Sequence, residues 1–144
     1  MDHELHFRKL EKLYLSAPIN DFYKPALTVE EGASTITVSI RPEFFHAANA
    51  VHGSVYFKML DDAAFFAVHS LVSDVFIVTV TFQIYLTRPI SEGALRSVGK
   101  VVHRGKRLFI AEAELTDASG QQLARGSGTF MRSKIPLGLE VGYR

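Results

Sequence analysis

Apolar residues recur along this chain with two periods, and the change of period divides it into elements. In residues 3–16, Leu5, Leu10, Leu13 and Tyr14 fall at roughly helical spacing among Glu, Arg and Lys. They predict a short amphipathic helix that packs on the rest of the fold. It should end near Ala17-Pro18, because the residue before a proline leaves the α region. From Ala26 the period is two. Residues 35–41 alternate Thr or Ser with Ile36, Val38 and Ile40, and Glu31-Gly32 before them marks a hairpin turn. Further strands are predicted over 77–89, 95–103, 107–117 and 121–132. Their joints contain Ser91-Glu92-Gly93, Arg104-Gly105-Lys106 and Asp117-Ala118-Ser119-Gly120. All three are short glycine-bearing turns, so the last four strands are expected to pair as an antiparallel meander.

Between the two sets of strands lies His46–Val68, HAANAVHGSVYFKMLDDAAFFAV. It opens on Asn49 and His52-Gly53-Ser54 and becomes about four helical turns in which nearly every residue is apolar. A helix apolar all round belongs inside a core. The order helix, two strands, long buried helix, four strands predicts an α+β domain with the long helix on one face of an antiparallel sheet. No repeat or linker is visible, so residues 1–144 read as a single domain. In strand 77–86 the even positions Val78, Val80, Phe82, Ile84 and Leu86 form an apolar face suited to the helix. The odd positions Ile77, Thr79, Thr81, Gln83 and Tyr85 carry no charge. Such a neutral face predicts cover by a ligand or another subunit.

At 144 residues the chain can bury a core without disulfides or metals. The lack of cysteine removes thiol nucleophiles, disulfides and thiolate metal sites together, and fits a reducing compartment. A net charge of +1 gives no electrostatic case for nucleic acid. The first fourteen residues are charged throughout, so no secretory signal is expected, and no apolar run approaches a membrane span. A cytoplasmic protein without nucleic-acid or membrane partners is the expectation.

Asp61 and Asp62 stand side by side in the middle of the long helix, where carboxylates are costly unless paired or used. Asp62 has Lys58 one turn earlier, the i, i+4 pair of an exposed strip. Asp61 has Phe57, Ala64, Phe65 and Val68 as wheel neighbours, with Lys58 at i−3. Among phenylalanines its pKa rises and it can act as general base or nucleophile; sharing Lys58 with Asp62, it is structural. Periodicity does not choose between these. At the helix start, His52-Gly53-Ser54 offers free backbone N–H groups and the positive end of the helix dipole to a carbonyl oxygen. Gly53 lets a ligand approach the backbone closely. The same segment also reads as an ordinary helix entry with Ser54 or Asn49 as cap.

Gly53 and Asp61 lie about 12 Å apart along one helix at 1.5 Å per residue. A base and an oxyanion donor must both come within about 3 Å of one reacting group. A site that uses both is therefore expected to be shared by two antiparallel helices in a dimer. No G-x-S-x-G elbow supports a serine triad, and the histidines show no His-Glu-x-x-His zinc pattern.

Asn49, His52-Gly53-Ser54, Asp61 after six intervening residues, a strand ending Leu86-Thr87-Arg88-Pro89 and a basic Gly105-Lys106-Arg107 hairpin together resemble the hot-dog-fold acyl-CoA thioesterases of the phenylacetate-pathway type. The likeness covers about residues 26–132. It implies a hot-dog fold: a long central helix wrapped by a curved antiparallel β-sheet, in homodimers that often pair into tetramers. It implies hydrolysis of an acyl- or aryl-acyl-CoA, with no metal and no cofactor apart from the coenzyme A of the substrate. Asp61 would then activate water or attack the thioester carbonyl, and the Gly53 N–H would polarise that carbonyl. Asn49 takes the place of a water-positioning asparagine, and His52 supports the local geometry. Thr79 matches a Ser or Thr that lines the site from the other chain. Arg104, Lys106 and Arg107 are the basic residues available to coenzyme A phosphates. Two departures stand out: Ser54 replaces the second glycine of a common His-Gly-Gly, and Asn49 lies closer to His52 than is usual. They motivate the alternative of a hot-dog domain that binds acyl-CoA without turning it over.

Overall fold

The computed structural model describes residues 2–144. Two N-terminal helices, α1 (His3–Ser16) and α2 (Asn20–Tyr23), precede β1 (Ala26–Glu30) and β2 (Ala33–Ser39). The long helix α3 (Gly53–His69) follows, then β3 (Val75–Leu86), β4 (Ala94–Arg104), β5 (Leu108–Thr116) and β6 (Gln122–Pro136). α1 starts where the Asp2 side chain accepts from the Glu4 N–H, and it stops at Ala17, extended ahead of Pro18. Its Phe7, Leu10, Leu13 and Tyr14 are buried; Leu5 is exposed and falls outside that face. α2 has no counterpart in the sequence pattern, since four residues are too few to show a period.

β1 and β2 form the expected hairpin, with Gly32 at φ 71°. β4, β5 and β6 form a meander, but β3 does not join it through β4. The sheet order is β1-β2-β4-β5-β6-β3, so β3 pairs with β6 and β4 pairs with β2. Ser91-Glu92-Gly93 is therefore part of a crossing, not a hairpin turn. The crossing is pinned along its length. The Thr87 and Arg88 N–H groups donate to Leu123 O, the Val51 N–H to Ile90 O, and the Tyr56 hydroxyl to Arg88 O. These acceptors and donors are remote in sequence, and a glycine-bearing joint looks alike whether it closes a hairpin or crosses a sheet.

α3 packs on the inner face of the sheet. Met59, Leu60, Ala63, Ala64 and Val68 are buried in one cluster with Ile36, Val38, Leu95, Ala111 and Leu115. Gly99 of β4 lets the helix backbone come close: a Cβ there would lie 2.2 Å from Ala63 O. The Ser34 hydroxyl donates to that same carbonyl at 2.6 Å.

The alternation of β3 changes phase along the strand. Ile77 is buried, whereas Val78 and Val80 are 39% and 52% exposed. A register shift between Thr79 and Thr81 leaves Val80 unpaired with β6, a bulge that moves side chains to the opposite face. Beyond it Phe82 and Ile84 pack on the core, and Thr81, Gln83 and Tyr85 face out. The even-numbered apolar face thus holds only after the bulge; before it, Ile77 and Thr79 point inward.

The last residues fold back onto α1. Tyr143 is buried and shares a 2.8 Å hydrogen bond with His6 Nδ1, while His6 Nε2 donates to His69 O at 2.9 Å. His69 Nδ1 donates to Val72 O at 3.0 Å, and its buried Nε2 has no partner among the described residues. Burial lowers the pKa of His6, and it brings His69 down to about 4. Below the unfolded value of 6.5 the unfolded chain binds protons that the native one refuses, so this stability is lost as pH falls from 6.5 toward 4. Tm measured across that window should drop, and His69→Leu should flatten the drop. An unchanged slope in that variant would remove His69 as its cause.

Candidate active site

Asp61 leaves the middle of α3 between two phenylalanines, Phe57 one turn before it and Phe65 one turn after. Their rings pack against β3, Phe57 on Phe82 at 5.8 Å and Phe65 on Phe76 at 5.6 Å. Between these contacts the inward-pointing Thr79 donates its hydroxyl to Asp61 Oδ1 at 2.9 Å. Burial is the main cause of an Asp61 pKa pushed up to about 6. The Thr79 hydrogen bond opposes the rise, the Asp62 charge adds to it, and the Lys58 cation opposes it.

Asp62 turns toward α1. Its Oδ2 accepts from the Tyr14 hydroxyl and from Lys58 Nζ, each at 2.7 Å. The Lys58 ammonium lies 5.2 Å from the Tyr14 ring centre and 4.9 Å from that of Tyr23. The predicted Lys58–Asp62 pair forms, yet not on an exposed strip: the two side chains are 13% and 18% exposed beneath the N-terminal helices. Asp61 has no share in that ion pair.

Both carboxylates face a cleft of about 240 Å³ whose walls include Leu13, Tyr14, Asn20, Phe65, Phe66 and Phe76. A larger cleft of about 510 Å³ lies between the end of α1 and the C-terminal residues, but it holds no such carboxylate pair. The Asn20 amide donates to Tyr14 O at 2.7 Å, and its buried oxygen has no donor among the described residues. Sequence reasoning missed Tyr14, Asn20 and Phe76 as site residues. Tyr14 shows there only as a packing position of α1, and nothing in its spacing points to Asp62.

At the start of α3, His52 is the cap. Its Nδ1 accepts from the Ser54 N–H at 3.0 Å and shares a 2.8 Å hydrogen bond with Ser54 Oγ. The imidazole thus takes the role that Ser54 or Asn49 was expected to fill, and Ser54 is tied back onto it. The Val55 N–H donates to His52 O, whereas the Gly53 N–H has no acceptor among the described residues. Gly53 therefore offers a free donor at the positive end of the helix. It also abuts the end of β3, where a Cβ would lie 3.1 Å from Leu86 Cδ1. Asn49 sits in the preceding turn at φ 64°, and its carbonyl accepts from Ser91 Oγ at 2.9 Å. The left-handed backbone favours asparagine there on its own account.

One chain thus gathers its candidates into two groups, Asp61 with Thr79, and His52 with Gly53 and Asn49, about 12 Å apart along α3. Thr79 bonds to the Asp61 of its own chain. Arg104, Lys106 and Arg107 join neither group. They lie at the β4–β5 turn, where Arg104 borders Ser70, Leu71 and Ser73 beyond the C-terminal end of α3.

Thr79→Val removes the hydrogen bond that holds the carboxylate down. The Asp61 pKa should then rise above about 6, by about one unit. An NMR titration of the Asp61 carboxyl reads this directly; a pKa that stays put would show the hydroxyl contact to be incidental.

Among the described residues no cluster of three or more His, Cys, Asp or Glu could hold a metal ion, and no helix is long and apolar enough to cross a membrane. The family model of the thioesterase superfamily matches residues 48–124, from the turn before α3 to the start of β6. Two proteins of Saccharolobus solfataricus with provisional esterase names are similar. One is 21% identical over 131 residues, 90% of this chain and 90% of its own. The other is 26% identical over 103 residues, 72% of this chain and 69% of its own. The solved structure of the E. coli PaaI protein, from the phenylacetic acid degradation operon, matches with a TM-score of 0.85 at 17% identity, covering 94% of this chain and 99% of that one. A mutant thioesterase of Pseudomonas aeruginosa matches with a TM-score of 0.78 at 16% identity, covering 89% and 94%. At such identities the shared property is the fold.

Proposed function

The chain belongs to the thioesterase superfamily, and from that premise we propose that it hydrolyses an acyl- or aryl-acyl-CoA thioester to the free acid and coenzyme A. The observation that carries this reading is Asp61, a carboxylate among phenylalanines on a cleft, bonded to Thr79 and free of Lys58. With a pKa near 6 it is ionised at neutral pH and basic enough to take a proton from water. The resulting hydroxide adds to the thioester carbonyl while the Gly53 N–H holds the oxyanion. Collapse breaks the C–S bond, and the proton on Asp61 passes to the departing thiolate. Direct attack by Asp61 would instead break the C–S bond, release the coenzyme A thiolate and form a mixed anhydride, which water then opens to the free acid and the Asp61 carboxylate. A single turnover in oxygen-18 water identifies the second route when label appears in Asp61, since water that opens the anhydride at the aspartyl carbon leaves its oxygen there and the first route puts it only in the product acid.

The active form in this reading is a homodimer, with pairing into tetramers a further step. β3 is the sheet's last strand, twelve residues with one edge unpaired and no lysine or proline to guard it. Antiparallel pairing with the β3 of a second copy, centred near Phe82 and Gln83, lays Thr79 of one chain opposite Leu86 of the other. Because Thr79 marks Asp61 and Leu86 marks Gly53, this arrangement brings each base to the partner's free N–H. His52 then supports that helix entry, Asn49 holds the attacking water beside it, and Arg104, Lys106 and Arg107 supply positive charge for the coenzyme A phosphates. A cytoplasmic setting suits such a substrate.

Steady-state assays over a panel of acyl-CoAs, with the mass of the species in solution measured alongside, test the proposal. Turnover by a dimer or tetramer is the expected result. A protein that hydrolyses none of them, yet gains Tm when acyl-CoA is added, is the non-catalytic binder instead.

A further inference from the structure

Lys58 lies three residues before Asp61 and four before Asp62, so one ammonium is within reach of both carboxylates. It goes to Asp62. Two contacts from outside α3 decide that choice. The Tyr14 hydroxyl of α1 donates to the same Oδ2 that Lys58 grips, which fixes the carboxylate. The rings of Tyr14 and Tyr23 hold the ammonium by their faces, on the side of the N-terminal helices.

We infer that Asp62 is a positioning residue: clamped between Tyr14 and Lys58, it keeps the ammonium off Asp61, so that Asp61 meets only Thr79 and the substrate. This rests on the reading of Asp61 as the reacting carboxylate. The charged and titratable groups around Asp61 are few. α3 contributes Lys58 and Asp62, α1 contributes Tyr14, and α2 contributes Tyr23. From the sheet, β3 presents Thr79 and Phe76 and β6 presents Phe130, none of them ionisable. With Asp62 neutral, the half-buried ammonium has one carboxylate left within a helical turn, and that carboxylate is Asp61. An ion pair there occupies an oxygen that a water or carbonyl must reach and makes Asp61 a poorer base. The electrostatics agree in direction, since the Asp62 charge raises the Asp61 pKa and the Lys58 charge lowers it. Tyr14 reaches Asp62 from the N-terminal helix, outside the matched stretch 48–124.

The test is the pH profile of kcat/KM together with an NMR titration of the Asp61 carboxyl, in the wild type and three variants. Asp62→Asn should move both downward by about one to two pH units and lower the plateau rate about three- to tenfold. Lys58→Met combined with Asp62→Asn removes the displaced cation and should return the titration to its wild-type position. Tyr14→Phe should shift it the same way as Asp62→Asn, less far, and keeps the test open if Asp62→Asn fails to fold. An Asp61 titration unmoved by Asp62→Asn, or a double variant that stays shifted with it, overturns the inference. Full turnover in Asp61→Asn overturns the reading of Asp61 instead, and the carboxyl titration still decides where Lys58 goes.

Discussion

Asp61→Asn is expected to lower kcat/KM for thioester hydrolysis by about 10²–10⁴-fold and, in the same variant, to raise Tm at neutral pH. The loss follows from removing the base while keeping its shape and its bond to Thr79, since an asparagine oxygen still accepts from the hydroxyl. The gain follows from linkage. A carboxylate whose pKa rises from 3.8 to about 6 on folding binds its proton more tightly in the native state. Between those values the folded protein holds more protons than the unfolded one, so stability falls as pH rises through that window. Above pH 6 the native state carries the full penalty of an ionised, half-buried acid, on the order of 1–3 kcal/mol. The asparagine does not ionise and escapes it. Thermal unfolding of both proteins above pH 6 and below pH 3.8 should show a difference that is present in the first range and absent in the second. A variant that is both inactive and less stable at neutral pH would mean that Asp61 is held comfortably in place, and the case for a strained, reactive carboxylate would fail.

Gly99→Ala should cost about 3 kcal/mol or more of stability, a fall in Tm of about 6–12 °C. The new Cβ would meet Ala63 O at 2.2 Å and Ala64 N at 2.7 Å, and both are backbone of α3 that cannot swing aside. Relief requires the helix to lift from β4. Ala63 and Ala64 follow directly after the two carboxylates, so the Asp61–Thr79 bond moves as well and turnover should fall with stability. Gly138→Ala is the control: nothing lies within 4 Å of its would-be Cβ, and its φ of −171° suits any residue. Its effect should stay within about 0.5 kcal/mol. Urea unfolding of the two variants gives the comparison, and equal stabilities would sink the claim of close backbone contact.

What could be read from the residues alone was local. The end of α1 before Pro18, the hairpin at Gly32 and the burial of α3 each depend on neighbours within a turn or two. The pairing of Lys58 with Asp62 also belongs here, an i, i+4 contact on one helix; whether Asp61 shared that lysine stayed open in the sequence, and the structure sends Asp61 to Thr79 instead. The clamp on Asp62 could not be read, since its Tyr14 is 48 residues away. Nor could the bulge at Val80, which no residue type announces and which turns Thr79 rather than Val80 toward the helix. The placement of β3 beside β6 failed for a related reason: turn composition reports that the chain bends, while the strand it then joins depends on the whole sheet. His52 as the cap was hidden by better-known capping residues on either side of it.

The sheet order also sets a timetable for the newborn chain. β3 is made early, and its hydrogen-bonding partner is the segment 122–136, which leaves the ribosome only after β4 and β5. At about 5–20 residues per second, several seconds pass in which a long apolar strand has neither edge satisfied. The hairpins on either side close locally during that delay. Pairings that reach so far along the chain slow folding and invite contact with other unfinished chains, so this interval is where chaperone help would count. The strand that carries Thr79 to Asp61 is thus among the last to find its place.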